Sequence, residues 1–382
     1  MADPSPPLAG IRVVELATMI TGPLAAMQLG DLGADVIKVE APGLGDVMRY
    51  TGTSSGGMSA LFATCNRSKR SVVIDLKAPE GVRVMLRLLD TADVFITNTR
   101  PGVTDRLGIG EAVVRGRNPK LIYAALTGFG AIGPYKDRPA YDNVVQALAG
   151  APTVQHDLRT GQPKPIRTFL ADKITSYTAV QGVLAALFAR ERSEDHHGQL
   201  LELNMLEATL SFLWCDGFGD HTWLGDTTTA LPELQRAFDV FPTADGYLTL
   251  TAILEEQFAG LSRAMGRPQW LDDPRYSDAI SRLRHVDALL DEIDDILLTR
   301  TTDDWITRFV AEGVPCSVVA PLDAVLADPQ VVALGAVQRS EHPTAGPMQQ
   351  AAPPLRLGET PSVISRPAPQ LGQHTDEVLG SL

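Results

Sequence analysis

Over its first third the chain repeats one local pattern, a short apolar run followed by a stretch of helical periodicity, and that alternation restricts the fold more than any other feature. IRVVEL (11–16) predicts a strand and GPLAAMQLGDLG (22–33) a helix closed by Gly33. ADVIKVE (34–40) and SVVIDL (71–76) predict two further strands. APEGVRVMLRLLDTA (78–92) is amphipathic, with Pro79 placed in the first helical turn, where its missing N–H costs nothing. DVFITN (93–98) and KLIYAALTGFG (120–130) complete the series. Short, mainly apolar strands separated by helices point to a parallel sheet covered on both faces. The expected fold class is α/β, a Rossmann-like parallel sheet with helices on both sides.

The pattern changes near residue 225. AFDVFPTADGYLTLTAI (237–253) predicts a hairpin turning at Asp245-Gly246. Polar, Asp-rich helices follow through 255–312, and then VPCSVVA (314–320). The expected organisation is a large ligand-binding domain over 1–224, a smaller α/β domain over 225–320, and a segment over 321–382 that returns to the large domain as irregular extended chain. Within that tail PPLRLG (353–358) is strand-like. The segment FLADKITSYTAVQGVLAALFAR (169–190) spaces Tyr177, Val180, Leu184, Leu187 and Phe188 as the buried face of a helix. Asp172 stands just ahead of its first turn, where an acid serves either as a cap or as a chemical group.

Composition removes several classes. A net charge of −13 argues against a general nucleic-acid binder, though a local Arg and Lys cluster can still hold an anionic substrate, and no apolar run reaches membrane-spanning length. Cys65, Cys215 and Cys316 lack CxxC spacing, which points to a reducing compartment and away from a disulfide scaffold or zinc site. The first residues, MADPSPPLAG, have neither a basic start nor an apolar core, so the expected location is cytoplasmic. There is no G-x-G-x-x-G after the first strand, no P-loop and no G-x-S-x-G elbow. His196-His197 lies in a charged stretch and reads as a solvated pair; no metal site is expected. Open α/β sheets bind ligands beyond the carboxyl ends of their strands, and the loops at the strand ends carry three basic clusters, one after the second strand, one before the third and one after the fourth. They are Arg49; Arg67, Lys69 and Arg70; and Asn98, Arg100 and Arg106, a possible cradle for phosphates.

The stretch LAGIRVVELATMITGPLAAMQLGDLGADVIKVEAPGLGD closely resembles the opening of the class III CoA-transferases, the family of formyl-CoA and carnitine-type CoA-transferases and α-methylacyl-CoA racemases. The resemblance continues through NRSKRSVVIDLKAPEG, DVFITNTRPGVTDRLG, NPKLIYAALTGFGAIGPYKDRPAYDNVVQALAG and GVLAALFAR, and resumes at FPTADGYLTL, VPCSVVAPLDAVLADPQV and PAPQLGQHTDEVL. It implies that Asp172 is a nucleophile, acylated by an acyl-CoA donor and then converted to an aspartyl-CoA thioester that an acceptor acid resolves. It implies a CoA site drawn from Met19, Ile20, Ile74, Lys77, Asn98, Arg106 and Leu107. Ala41 stands where formyl-CoA transferases carry a basic residue, so Arg49 or Arg70 is expected to supply that contact. No cofactor beyond the CoA thioester substrate is implied, and the partners are a donor acyl-CoA, an acceptor acid and a second chain in an interlocked homodimer.

Racemases in the family use a histidine for α-proton exchange; Tyr141 occupies that position here, followed by Asp142. Glu255 falls where racemases carry a glutamate, which keeps a 2-methylacyl-CoA racemase as the alternative, alongside a non-catalytic CoA-binding relative. A tyrosine is a weak base near neutral pH, which favours transfer. The glycine run that serves formyl-CoA transferases as a lid is missing, and LPELQRAFDVF stands ahead of the hairpin as a candidate acyl-pocket lining.

Overall fold

The computed structural model describes residues 5–157, 160–225 and 237–382. The chain forms two compact units. One is assembled from the segment ending at Asp157, from Gly161–Phe212 and from Gln330–Leu382; the other is built around Leu213–Pro329.

The first unit holds a parallel sheet of β1 (Arg12–Leu16), β2 (Asp35–Glu40), β3 (Lys69–Val73), β4 (Val94–Thr97), β5 (Ile122–Thr127) and β6 (Leu200–Asn204). The strand order is β3-β2-β1-β4-β5-β6, every pair parallel. Its helices include α1 (Thr21–Asp31), α2 (Pro79–Asp90), α3 (Val103–Arg106), α4 (Asp142–Leu148) and α5 (Leu170–Arg192). Successive strand residues face opposite sides. Val13 joins Val36 and Ile96 against Ala25 and Leu29 of α1 and Val183 and Leu187 of α5. Val14 joins Ile37 and Phe95 against Met85 and Leu88 of α2. Each such side chain contributes about 1.5–3 kcal/mol on burial, so the two apolar layers fix the sheet's register. The strand order reverses between β1 and β4, which opens a crevice beyond their carboxyl ends.

Three local expectations need correction. The third strand is shifted to Lys69–Val73, because the Lys69 ammonium finds a buried partner in Glu15 at 2.6 Å and so can enter a covered sheet. On α5 the buried face is Ala179, Val180, Val183, Ala186 and Leu187, while Tyr177 and Phe188 are exposed. PPLRLG forms no strand; the tail instead carries an antiparallel hairpin. The tail packs against the first unit's sheet: the Ser68 amide donates to the Arg366 carbonyl at 2.9 Å and the His374 amide to the Ser71 carbonyl at 2.9 Å. Val378 then enters the core that contains Val14.

The second unit has an antiparallel sheet of β7 (Phe241–Pro242), β8 (Tyr247–Leu250) and β9 (Cys316–Val318), with β8 central. Asp245 fastens the expected hairpin turn by accepting hydrogen bonds from the Thr302 amide at 2.8 Å and its hydroxyl at 2.9 Å. Helices α6 (Glu255–Ala264), α7 (Val286–Leu297) and α8 (Thr302–Ala311) cover the sheet around Phe258, Trp270, Ile293, Trp305 and Phe309.

Candidate active site

Asp172 is the third residue of α5, within its first turn, and Phe169 stands at the N-cap. The carboxylate therefore does not cap its own helix. It turns to α1, whose N-cap residue Ile20 supplies no side-chain hydrogen bond, so the opening N–H groups of that helix are available to an acid. The Thr21 hydroxyl donates to Asp172 Oδ1. The Asp172 backbone amide donates to Asp142 Oδ1 at 3.0 Å. Asp142 opens α4 and accepts a hydrogen bond from Gln146 on the same helix. Gln146 also donates to the Thr168 carbonyl at 2.9 Å, which ties α4 to the chain entering α5.

Burial pushes the Asp172 carboxyl up from its ordinary 3.8 to about 6; the Thr21 hydroxyl works against this, and the neighbouring Asp142 charge adds to it. The group is thus ionised at neutral pH yet poorly solvated, which raises its reactivity toward a carbonyl.

The turn from β1 into α1 is set by close packing and by buried charge. A Cβ on Gly22 would lie 2.4 Å from that of Ala17, so only glycine lets the helix start this close to the strand. Met19 has a left-handed backbone, φ 65°, and its amide donates to Asp46 Oδ1 at 3.2 Å. Asp46 pairs with Lys38 at 3.0 Å, and Lys38 also meets Glu15 at 2.8 Å and the Ala17 carbonyl at 2.8 Å. Lys69 closes the set on the other Glu15 oxygen and on Asn66 at 2.9 Å. All five side chains are buried, with two cations matching two carboxylates. Asn98, just beyond β4, clamps Thr18 from the other side: it accepts from the Thr18 amide at 3.0 Å and donates to its carbonyl at 2.7 Å.

A cavity of about 440 Å³ opens in front of Asp172, at the switch point of the sheet, lined among others by Thr18, Met19, Asn98 and Tyr141. Arg100, Lys136 and Arg138 also line it, all exposed, and none has a carboxylate within ion-pair distance among the described residues. Arg138 lies over the Tyr135 ring at 3.7 Å.

Of the residues expected in a CoA site, Met19 and Asn98 line this cavity. Arg106 is exposed at the end of α3 with no ion pair among the described residues, Leu107 packs at the edge of the core beneath it, and Lys77 is exposed. The side chains of Ile20 and Ile74 are buried in apolar clusters, which leaves only their backbone for a ligand. The three-cluster cradle is not assembled. Arg49 is buried in a paired contact with Glu40, at 2.9 and 2.6 Å, under the Phe62 ring. Arg67 is held by Asp31 at 2.8 Å, and Arg70 by Asp35 at 2.5 Å and Glu377 at 2.8 Å. Their charges stabilise the fold, and the cavity's free cations come instead from Arg100 and from Lys136 and Arg138, which the sequence reading did not single out.

Glu255 opens α6 and is held by both Arg282 nitrogens at 2.8 Å, which keeps its carboxyl below the usual range. His197 sits against Asp195 at 3.1 Å on the surface. Among the described residues no group of three His, Cys, Asp or Glu side chains could hold a metal ion, and no helix is long and apolar enough to cross a membrane. Residues 231–236 of the LPELQRAFDVF segment lie outside the described residues. Thr21 and Gln146 were also missed from sequence; the one available signal was a hydroxyl in the loop after the first strand, directly before Gly22-Pro23.

The pattern of CoA-transferase family III matches residues 8–375. The chain is 35% identical to the succinate–glutarate CoA-transferase of Agrobacterium fabrum, covering 100% of this chain and 97% of the relative. It is 31% identical to the human succinyl-CoA:glutarate CoA-transferase, over 98% of this chain and 85% of the relative. A CaiB/BaiF family protein of Brucella suis has a similar crystal structure, with a TM-score of 0.85, 28% identity and 99% of each chain covered. The chain belongs to CoA-transferase family III and is an enzyme that transfers CoA.

Proposed function

We propose that the enzyme moves CoA from an acyl-CoA donor to a carboxylic acid acceptor through covalent intermediates on Asp172. The observation that carries this is the Asp172 carboxylate, half-buried, raised to about 6 and facing the cavity at the sheet's switch point. In the first step an Asp172 oxygen adds to the thioester carbonyl, the C–S bond breaks, and CoA leaves as the thiolate. The thiolate then adds to the aspartyl carbonyl of the mixed anhydride and expels the donor acid as its carboxylate, leaving an aspartyl-CoA thioester. The acceptor carboxylate attacks that thioester, the thiolate returns to the acceptor carbonyl, and the new acyl-CoA departs with Asp172 restored. Every negative charge moves from one carboxylate or thiolate to another, so no net proton is taken up.

The nucleotide end of CoA is assigned to the loops after β1 and β4, with Met19, Asn98 and Arg106 as contacts and Lys77 beside them. Arg106 is the firmest of these because its guanidinium is exposed and free of carboxylates, as a phosphate contact requires. The donor is read as the CoA thioester of a simple carboxylic acid and the acceptor as a second such acid, in line with the relatives' printed activities. An interlocked homodimer is part of the proposal; in support, Tyr177 and Phe188 project three turns apart from one uncovered face of α5.

The test is Asp172→Asn. Transfer from succinyl-CoA to glutarate should vanish while the affinity for free CoA stays within about twofold of the wild type, since the amide keeps the side chain's shape. An Asn variant that turns over at the wild-type rate would remove the covalent mechanism.

A further inference from the structure

The Asp172 carboxylate is fastened asymmetrically. Its Oδ1 accepts the Thr21 hydroxyl, and among the described residues no side-chain donor reaches Oδ2. Thr21 cannot drift away from this position. It is the first residue of α1, it is buried, and its carbonyl accepts from the Ser176 hydroxyl at 2.7 Å. The same Ser176 hydroxyl lies 2.8 Å from the Asp172 carbonyl, so the start of α1 and the first turn of α5 are stitched together on both sides of the carboxylate. Asp142 fixes the Asp172 backbone from a third direction at 3.0 Å.

We propose that Thr21 is a catalytic residue that makes the two oxygens of Asp172 distinct: Oδ2 is the nucleophile, and Oδ1 remains with the enzyme as the oxyanion site. This rests on the covalent mechanism above. When Oδ2 has attacked the donor, Oδ1 is the carbonyl oxygen of the aspartyl half of the anhydride. Addition of the CoA thiolate to Cγ forms the C–S bond and moves the carbonyl electron pair onto Oδ1, where the Thr21 hydroxyl already points. Collapse restores the Cγ–Oδ1 double bond and breaks Cγ–Oδ2, so the donor acid leaves carrying Oδ2. The acceptor carboxylate later delivers one of its own oxygens to the vacated position. A hydroxyl aimed in advance at the atom that gains charge needs no reorganisation during the reaction.

The consequence is readable by isotope. An acid labelled with heavy oxygen at both carboxylate positions is incubated with its own CoA thioester and the full-length enzyme over many turnovers, and the peptide containing Asp172 is then weighed. Wild-type enzyme should gain one heavy oxygen and stop, because Oδ1 never leaves. Thr21→Val, which keeps the shape and loses the hydroxyl, should lower kcat about a hundredfold. Allowed the same number of turnovers, it should gain two, because the hydroxyl that distinguishes the two oxygens is gone and only the Thr21 amide, present in both enzymes, still holds the carboxylate. Thr21→Ser should restore both the rate and the single-oxygen pattern. Two heavy oxygens in the wild type, or one in the Val variant, overturn the proposal while leaving the covalent mechanism standing. No label at all in the wild type removes both.

Discussion

Removing the charge of Asp172 should strengthen the fold at neutral pH. Burial raises the carboxyl from 3.8 to about 6, so the folded protein prefers the protonated form and is strained by the anion it needs for catalysis. That preference stabilises the folded state fully below about pH 4 and is lost as the pH rises through about 6. The difference between 3.8 and about 6 corresponds to about 3 kcal/mol between the two ionisation states, an upper bound because the group keeps some contact with solvent. Asp172→Asn retains an acceptor for Thr21 and carries no charge at any pH. Denaturant unfolding at pH 8 should therefore show the Asn variant more stable than the wild type by up to about 3 kcal/mol, with the gain shrinking to nothing near pH 4. A variant less stable at pH 8, or a gain of the same size at both pH values, would refute the argument that burial strains this carboxylate.

Other residues give sharp expectations. Asp142→Asn keeps an acceptor for the Asp172 amide but removes a neighbouring negative charge, so the acid limb of the kcat/KM profile should move below pH 6; a limb that stays put would exclude Asp142 as a cause of the shift. Lys38→Met leaves Glu15 with one cation and Asp46 with none, and should cost about 3–5 kcal/mol of stability by chemical denaturation. Arg106→Ala should raise KM for the acyl-CoA about tenfold with kcat little changed, and high salt should weaken wild-type binding in the same direction.

The large unit was legible because its strands are short and mostly apolar and alternate with helical patterns, and the helix ends fall where Pro79 and Gly33 place them. Position along the chain does not reveal which charges meet in space. Lys69 and Arg70 read as one basic patch with Arg67, yet adjacent strand residues point to opposite faces, and each of the three finds a different acid. Tyr177 and Phe188 have helical spacing, but the sheet covers the adjacent stripe of α5 and leaves them outside. Asp172 was visible through family resemblance; its partner was not, because Thr21 lies 151 positions earlier and meets Asp172 only when α1 and α5 pack side by side on the sheet.

The most direct measurement of the central claim is peptide mass spectrometry of the enzyme mixed with succinyl-CoA, quenched early and trapped with hydroxylamine. The account predicts a CoA adduct, or the hydroxamate derived from it, on Asp172, absent in Asp172→Asn. Transfer that proceeds at full rate with no adduct on Asp172 under any quench, or an adduct on another residue, would contradict it.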